Sequence, residues 1–182
     1  SVEVPVDGNP NKSVNLTNNS NGVLYVNLIT SGQPLIGDQT VKAENLTMKV
    51  NYLDNEGNVI DVNRLAQGTD FVAQVSITNP GTKGIRYEEM ALTQVFPSGW
   101  EIINDRMTAT TSSLFVNDYS DYRDFRDDRV NTYFYCSRRS SKVFYVRLNA
   151  SYLGKFYLPA VTCEAMYDNT IFAHSAGTWV EV

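Results

Sequence analysis

Few residues in this chain could do chemistry. There is one histidine, His174, and there are two cysteines, Cys136 and Cys163. A nucleophile–histidine relay needs a Ser or Cys within reach and a carboxylate to orient the ring. Ser175 is adjacent, but in an extended strand it points to the opposite face. His174 therefore reads as a surface or edge histidine. A zinc site takes three or four Cys or His ligands, and the three such residues here are scattered along the chain. Asp54-Asn55-Glu56-Gly57 offers oxygen ligands, but it lacks the twelve-residue calcium-loop spacing with its terminal bidentate Glu. It reads as a hairpin turn. No phosphate-cradling glycine loop or dinucleotide fingerprint is present. No cofactor, metal site or catalytic residue is expected, and the chain reads as a non-enzyme.

The densest charge lies between Asp118 and Asp128. Asp118, Asp121, Asp124, Asp127 and Asp128 alternate there with Arg123, Arg126 and Arg129. Paired carboxylates can hydrolyse glycosides or ligate calcium. Arginines set among the aspartates favour ion-paired structure instead, with use at an interface second. Cys136 and Cys163 could pair as a disulfide in an oxidising compartment or stay as two buried thiols; spacing leaves both open. Arg138, Arg139 and Lys142 form the one basic cluster, in a Ser-rich stretch that reads as a solvated hairpin tip.

Composition sets the wider limits. The 182 residues carry a net charge of −5 and are 42% hydrophobic, with 11 Tyr and 8 Phe. That is enough apolar material for a core without disulfide support. An acidic chain suits neither nucleic acid, which needs a basic face, nor anionic lipid. No apolar run approaches the length of a membrane-spanning helix. The chain starts at Ser1 rather than Met. The expectation is a piece of a larger protein whose targeting signals lie elsewhere.

The elements that must position these residues read as strands. Candidates are Val2–Val6, Ser13–Asn18, Leu24–Thr30, Leu46–Leu53, Asp70–Thr78, Glu88–Val95, Glu101–Ile103, Arg129–Tyr135, Val143–Ser151, Gly154–Glu164 and Thr178–Val182. Phe71, Ala73, Val75 and Ile77 alternate with Val72, Gln74, Ser76 and Thr78, a period of two that buries one face. Asn79-Pro80-Gly81 and Phe96-Pro97-Ser98-Gly99 are breaks. Tyr119–Asp128 has no helical stripe and reads as a loop or short turn. Short strands at regular spacing predict an all-β antiparallel β-sandwich. Residues 1–36 form a small N-terminal β segment, followed by a linker-like stretch, and the main sandwich runs over 41–182. Two or three strands cannot bury a core alone, so 1–36 is expected to complete a domain lying elsewhere.

Several motifs in order carry a resemblance. Leu65-Ala66-Gln67-Gly68-Thr69-Asp70 precedes a long strand, and Phe96-Pro97-Ser98-Gly99-Trp100-Glu101-Ile102 follows. Tyr122-Arg123-Asp124-Phe125-Arg126-Asp127-Asp128-Arg129-Val130 comes next. Then come Gly154-Lys155-Phe156-Tyr157-Leu158-Pro159, Ala165-Met166-Tyr167-Asp168 and Ala176-Gly177. This resembles the C-terminal macroglobulin-like, receptor-binding-like domain of bacterial alpha-2-macroglobulins, with residues 1–36 similar to the last strands of a CUB-like domain.

The resemblance implies an extracytoplasmic setting, periplasmic or anchored to the outer membrane of a Gram-negative cell. It also implies a large parent protein, secreted or lipid-anchored, that inhibits proteases through a bait region and, in many members, a Cys–Gln thioester. Neither Cys136-Ser137-Arg138-Arg139 nor Cys163-Glu164-Ala165-Met166 supplies the Gln such a ring needs. The implied partners are the thioester-type and CUB-like domains of the same chain and, indirectly, target proteases; no nucleic acid and no membrane insertion by this segment are implied. Aromatic residues and arginines are favoured at interfaces. The expected inter-domain contact is therefore Tyr119, Tyr122, Arg123, Phe125, Arg126, Asp127 and Arg129. The alternative is a carbohydrate-binding or adhesion sandwich that stacks sugars on Trp100, Trp179, Tyr133, Tyr135 or Tyr145. Ala165-Met166-Tyr167 is expected to pack a sheet corner.

Overall fold

A computed structural model describes residues 15–27, 40–103 and 114–182. The chain divides into two units, Ser1–Gln33 and Pro34–Val182. In the first, residues 15–27 form no strand. The Asn18 side chain organises a bend there, accepting from the Ser20 amide at 3.0 Å and donating to Gly22 O at 2.7 Å. The expected strands Ser13–Asn18 and Leu24–Thr30 are therefore not formed over their described parts, where the Asn side chain has replaced a ladder partner. Val2–Val6 and the linker lie outside the described residues.

Among the described residues the second unit has twelve strands: β1 Lys42–Glu44, β2 Thr47–Leu53, β3 Asp70–Thr78, β4 Tyr87–Val95, β5 Trp100–Ile103, β6 Tyr122–Phe125, β7 Arg129–Cys136, β8 Ser141–Ala150, β9 Lys155–Leu158, β10 Thr162–Ala165, β11 Asp168–His174 and β12 Thr178–Glu181. One sheet has the order β1-β11-β10-β4-β7-β6 and a second has β2-β3-β8-β5; β12 and β9 make a two-stranded ribbon. Every ladder is antiparallel. The fold is an all-β antiparallel sandwich.

The period-two pattern sets the long central ladders. β3 pairs with β8 along its whole length, from Asp70 opposite Asn149 to Thr78 opposite Ser141. Asn79 then ends β3. Its Oδ1 accepts from the Gly81 amide at 2.9 Å while its Nδ2 donates to Ile85 O and Cys136 O. The Asp54 turn behaves likewise: one carboxylate oxygen accepts from the amides of Glu56 at 3.0 Å and Asn58 at 2.8 Å. The Asn58 contacts hold its carboxyl below the ordinary value. That carboxylate is committed to closing a turn.

Three of the expected elements are revised. Gly154–Glu164 is not one strand but two, since Pro159 withholds a ladder donor between β9 and β10. Tyr119–Asp128 is not a loop throughout but contains β6. The Ala165-Met166-Tyr167 turn packs no corner: Ala165 is buried, but Met166 and Tyr167 stand exposed at the tip between β10 and β11. β1 and β11 are additional to the sequence reading.

The core between the layers falls into two clusters, and a third, smaller cluster of Leu53, Val72 and Phe115 lies on the other face of β3. The first gathers Val75, Ile77, Tyr87, Met90, Leu92, Phe134 and Phe144, with the Phe134 and Phe144 rings 4.8 Å apart across the two sheets. The second gathers Phe71, Phe96, Trp100, Val130, Val146, Leu148 and Val180. Trp100 is buried edge-on against Phe71 at 4.9 Å and Tyr52 at 5.8 Å, which removes it as a surface ring for sugars. On β4 the clusters are separated by Gln94, and on β7 by Thr132; both side chains are buried.

Candidate docking surface: a tyrosine-faced sheet edge

β6 exists because β7 offers it a ladder. The Asp121 amide donates to Tyr133 O at 2.8 Å, the register runs from Tyr122 opposite Tyr133 to Phe125 opposite Val130, and the Arg126 amide closes the turn on Arg129 O at 2.9 Å. β6 is the outermost strand of its sheet. Strand alternation then divides the residues singled out in the sequence.

Arg123 and Phe125 are turned away from the outer face. Phe125 packs on the second core cluster. Arg123 donates through Nη2 to Tyr145 O at 3.0 Å and through Nε to Thr132 Oγ1 at 3.3 Å. It thereby fastens β6 to β8 of the opposite layer. Both residues are structural here, and their expected place in an outward contact is not supported by the geometry. Arg126, Asp127 and Arg129 lie at the β6–β7 turn. Arg126 pairs with Asp124 at 2.8 Å and Arg129 with Asp128 at 2.6 Å. Arg129 draws the Asp128 carboxyl below its usual value. Such exposed pairs contribute little net stability.

Tyr119 and Tyr122 face outward, 64% and 58% exposed. Each rests on a tyrosine of β7. Tyr122 stacks on Tyr133 at 6.2 Å with 21° between planes, and Tyr119 lies 6.2 Å from Tyr135. Two cations frame the group. Lys142 Nζ is 5.9 Å from the Tyr119 ring and 5.3 Å from the Tyr135 ring, and it donates to Tyr119 O at 3.3 Å. The Arg86 guanidinium lies 4.4 Å from the Tyr135 centroid and is ion-paired with Glu88. Both cations sit at cation–π distance. Tyr133, Tyr135, Arg86 and Lys142 are part of this surface and absent from the sequence-based set. The sequence offered Tyr133 and Tyr135 only as rings for stacking sugars and Lys142 only in the basic hairpin tip, and Arg86 gave no signal; the alternation of β7 sets the two tyrosines on one outward face.

The surface continues inward across β4, β10 and β11. Level with Tyr122 and Tyr133, the register brings Ala91, Glu164 and Phe172. Next to them lie Thr93, Thr162 and His174. The His174 ring nitrogen is 3.4 Å from Ser175 O, and among the described residues no carboxylate is paired with the ring. Among the described residues no group of three His, Cys, Asp or Glu side chains could hold a metal ion.

Cys136 and Cys163 are free, buried thiols. They lie on β7 and β10 with β4 between them, opposite Tyr87 and Leu92 respectively. Two strand spacings put the backbones at least about 9.5 Å apart, beyond the roughly 7 Å a disulfide spans. Burial pushes the Cys163 thiol up, and both cysteines pack in the first core cluster. The disulfide expectation gives way to its alternative, two buried thiols.

What this arrangement can do is present a rigid aromatic surface. A family model of the bacterial alpha-2-macroglobulin MG10 domain matches residues 46–169, which include β6, β7 and most of this face. The alpha-2-macroglobulin of Rickettsia conorii is 29% identical over 171 residues, covering 87% of this chain and 8% of the relative. That of Pasteurella multocida is 25% identical over 178 residues, covering 90% and 8%. The chain thus spans about a twelfth of the length of these relatives. Solved structures agree on the fold. Salmonella alpha-2-macroglobulin reacted with methylamine has a TM-score of 0.66 at 16% identity, covering 79% of this chain and 10% of that one. Native Escherichia coli alpha-2-macroglobulin from domain MG7 to the C-terminus gives 0.66 at 16%, covering 78% and 24%. With a match over two thirds of its length, the chain belongs to the bacterial alpha-2-macroglobulin MG10 domain family.

Proposed function

We propose that this chain is a non-catalytic interaction module of a longer, extracytoplasmic alpha-2-macroglobulin-type protease inhibitor. Its tyrosine-faced edge docks on another domain of the same polypeptide, the thioester-type domain by resemblance. By resemblance, residues 1–36 are the end of a neighbouring CUB-like domain, and residues 41–182 are the docking sandwich. Trapping of proteases belongs to the whole protein. One observation carries the reading: Tyr119 and Tyr122 stand exposed, yet both are braced on a rigid sheet by Tyr135 and Tyr133. Braced, half-dehydrated tyrosines lose little conformational entropy on docking.

The test is oxidative footprinting of the full-length parent. Tyr167, 88% exposed at its hairpin tip, is the internal reference. Tyr119 and Tyr122 are expected to be modified several-fold more slowly than Tyr167, and a Tyr122→Ala/Tyr133→Ala parent is expected to trap less protease. Equal modification of all three tyrosines would remove the docking reading.

A second reading, a carbohydrate-binding or adhesion surface, has its own observation. Trp179 is 45% exposed, edge-on to Tyr157 at 5.6 Å, with Lys155 Nζ 5.6 Å from its ring. Glycan-array binding lost in Trp179→Ala would favour it.

A further inference from the structure

The separation between the two core clusters is polar on one side only. On the inner face of the four-stranded sheet, β3 runs Phe71, Ala73, Val75, Ile77 and β8 runs Phe144, Val146, Leu148, apolar throughout. On the six-stranded sheet the same level is held by Gln94 and Thr132, each 0% exposed. Gln94 is opposite Val130, and Thr132 is opposite Leu92. The two are diagonal neighbours on the inner face, about 7 Å apart along the backbone and within reach of a long side chain.

Among the described residues no donor or acceptor reaches either Gln94 Nε2 or Gln94 Oε1. A buried amide left without any partner is disfavoured at both its ends. Thr132 Oγ1 accepts from Arg123 Nε at 3.3 Å, which leaves its hydroxyl proton to donate to another acceptor. The other unpartnered buried atom, Trp100 Nε1, has a different setting. Its ring is edge-on to Phe71 and Tyr52, where an aromatic face can receive an N–H.

We propose that Gln94 is an internal water site: its amide and the Thr132 hydroxyl hold at least one long-lived buried water between the two halves of the core. The chemistry fits. A buried water makes about three hydrogen bonds. Gln94 Nε2 donates to it, Gln94 Oε1 accepts from it, and the Thr132 hydroxyl supplies a third contact. The site lies one strand inside the tyrosine-faced edge and shares Thr132 with Arg123, so it completes the polar chain Gln94–water–Thr132–Arg123–Tyr145 O that ties the edge strand to the opposite layer.

Two measurements on the 182-residue chain test this. In the wild type, the Gln94 side-chain amide protons are expected to show direct cross-relaxation at the water frequency, with the sign of a water that stays for nanoseconds or longer. Water relaxation dispersion is expected to count at least one fewer long-lived internal water in Gln94→Met, and a smaller loss in Thr132→Val. Absence of the Gln94–water cross-peak overturns the proposal, as does an unchanged water count in a folded Gln94→Met. If that variant does not fold, the wild-type cross-peak decides alone.

Discussion

The two faces of β7 make opposite use of the same backbone. Inward, Val130, Thr132, Phe134 and Cys136 are sealed in the core. Outward, Tyr133 and Tyr135 are half-covered, and what covers them is two more tyrosines and two cations. The inner face is explained by its neighbours: remove a ring and a cavity forms. Among the described residues, the outer face is a set of aromatic rings and cations that no opposing layer covers. The lesson is that burial separates residues kept for the fold from residues available for something else, even one position apart on one strand.

Adjacent substitutions can break that contrast. The largest effect is expected for Phe134→Ala. It empties the contact with Phe144 across the layers and should cost about 3–5 kcal/mol in urea unfolding. Tyr135→Ala, the next residue, should cost under about 1 kcal/mol. Equal costs would mean that the outer tyrosines are structural and the contrast is false. A smaller effect sharpens the outer face itself. A double-mutant cycle on Tyr122 and Tyr133 should return a coupling of about 0.5 kcal/mol, showing a stack that pre-forms the surface rather than holds the fold.

The smallest expected effect belongs to the rim. Lys83 donates to Asp168 at 2.7 Å and holds its carboxyl at about 2, against an ordinary 3.8. A carboxyl lowered on folding stabilises above its unfolded value, and that contribution fades as pH falls from about 4 toward about 2. Unfolding curves of wild type and Asp168→Asn should differ at neutral pH and converge in acid. A gap that widens in acid would contradict the pairing.

Legibility in the sequence followed the number of buried faces. β3 was readable to the residue because one face is uninterrupted Phe71, Ala73, Val75, Ile77. β8 was readable within two residues at its start and one at its end. β6 was not, because Tyr122-Arg123-Asp124-Phe125 places a charge on each face: Arg123 spans the layers by its guanidinium, and Asp124 pairs in the turn. β10 and β11 were obscured by the exposed Met166-Tyr167 tip, which imitates a buried apolar run. For the docking surface, Tyr119 and Tyr122 were visible among charges. Their partners Tyr133 and Tyr135 were legible only as rings for stacking sugars, since a cross-strand stack depends on a register fixed by distant ladders. Gln94 gave no signal at all, being one polar residue on a strand whose burial only the opposite layer decides.

β1 and β6, the outermost strands of the six-stranded sheet, are three and four residues long. Lys42 and Glu44 occupy one; Arg123 and Asp124 occupy the other. Rows this short, with both signs of charge, give a passing chain little length along which to add another strand. In relatives some twelve times the length of this chain, many domains must emerge from the ribosome side by side. Edges of this kind let each sheet close on itself before its neighbours arrive, so the same margin that presents the tyrosines also guards against misassembly during synthesis.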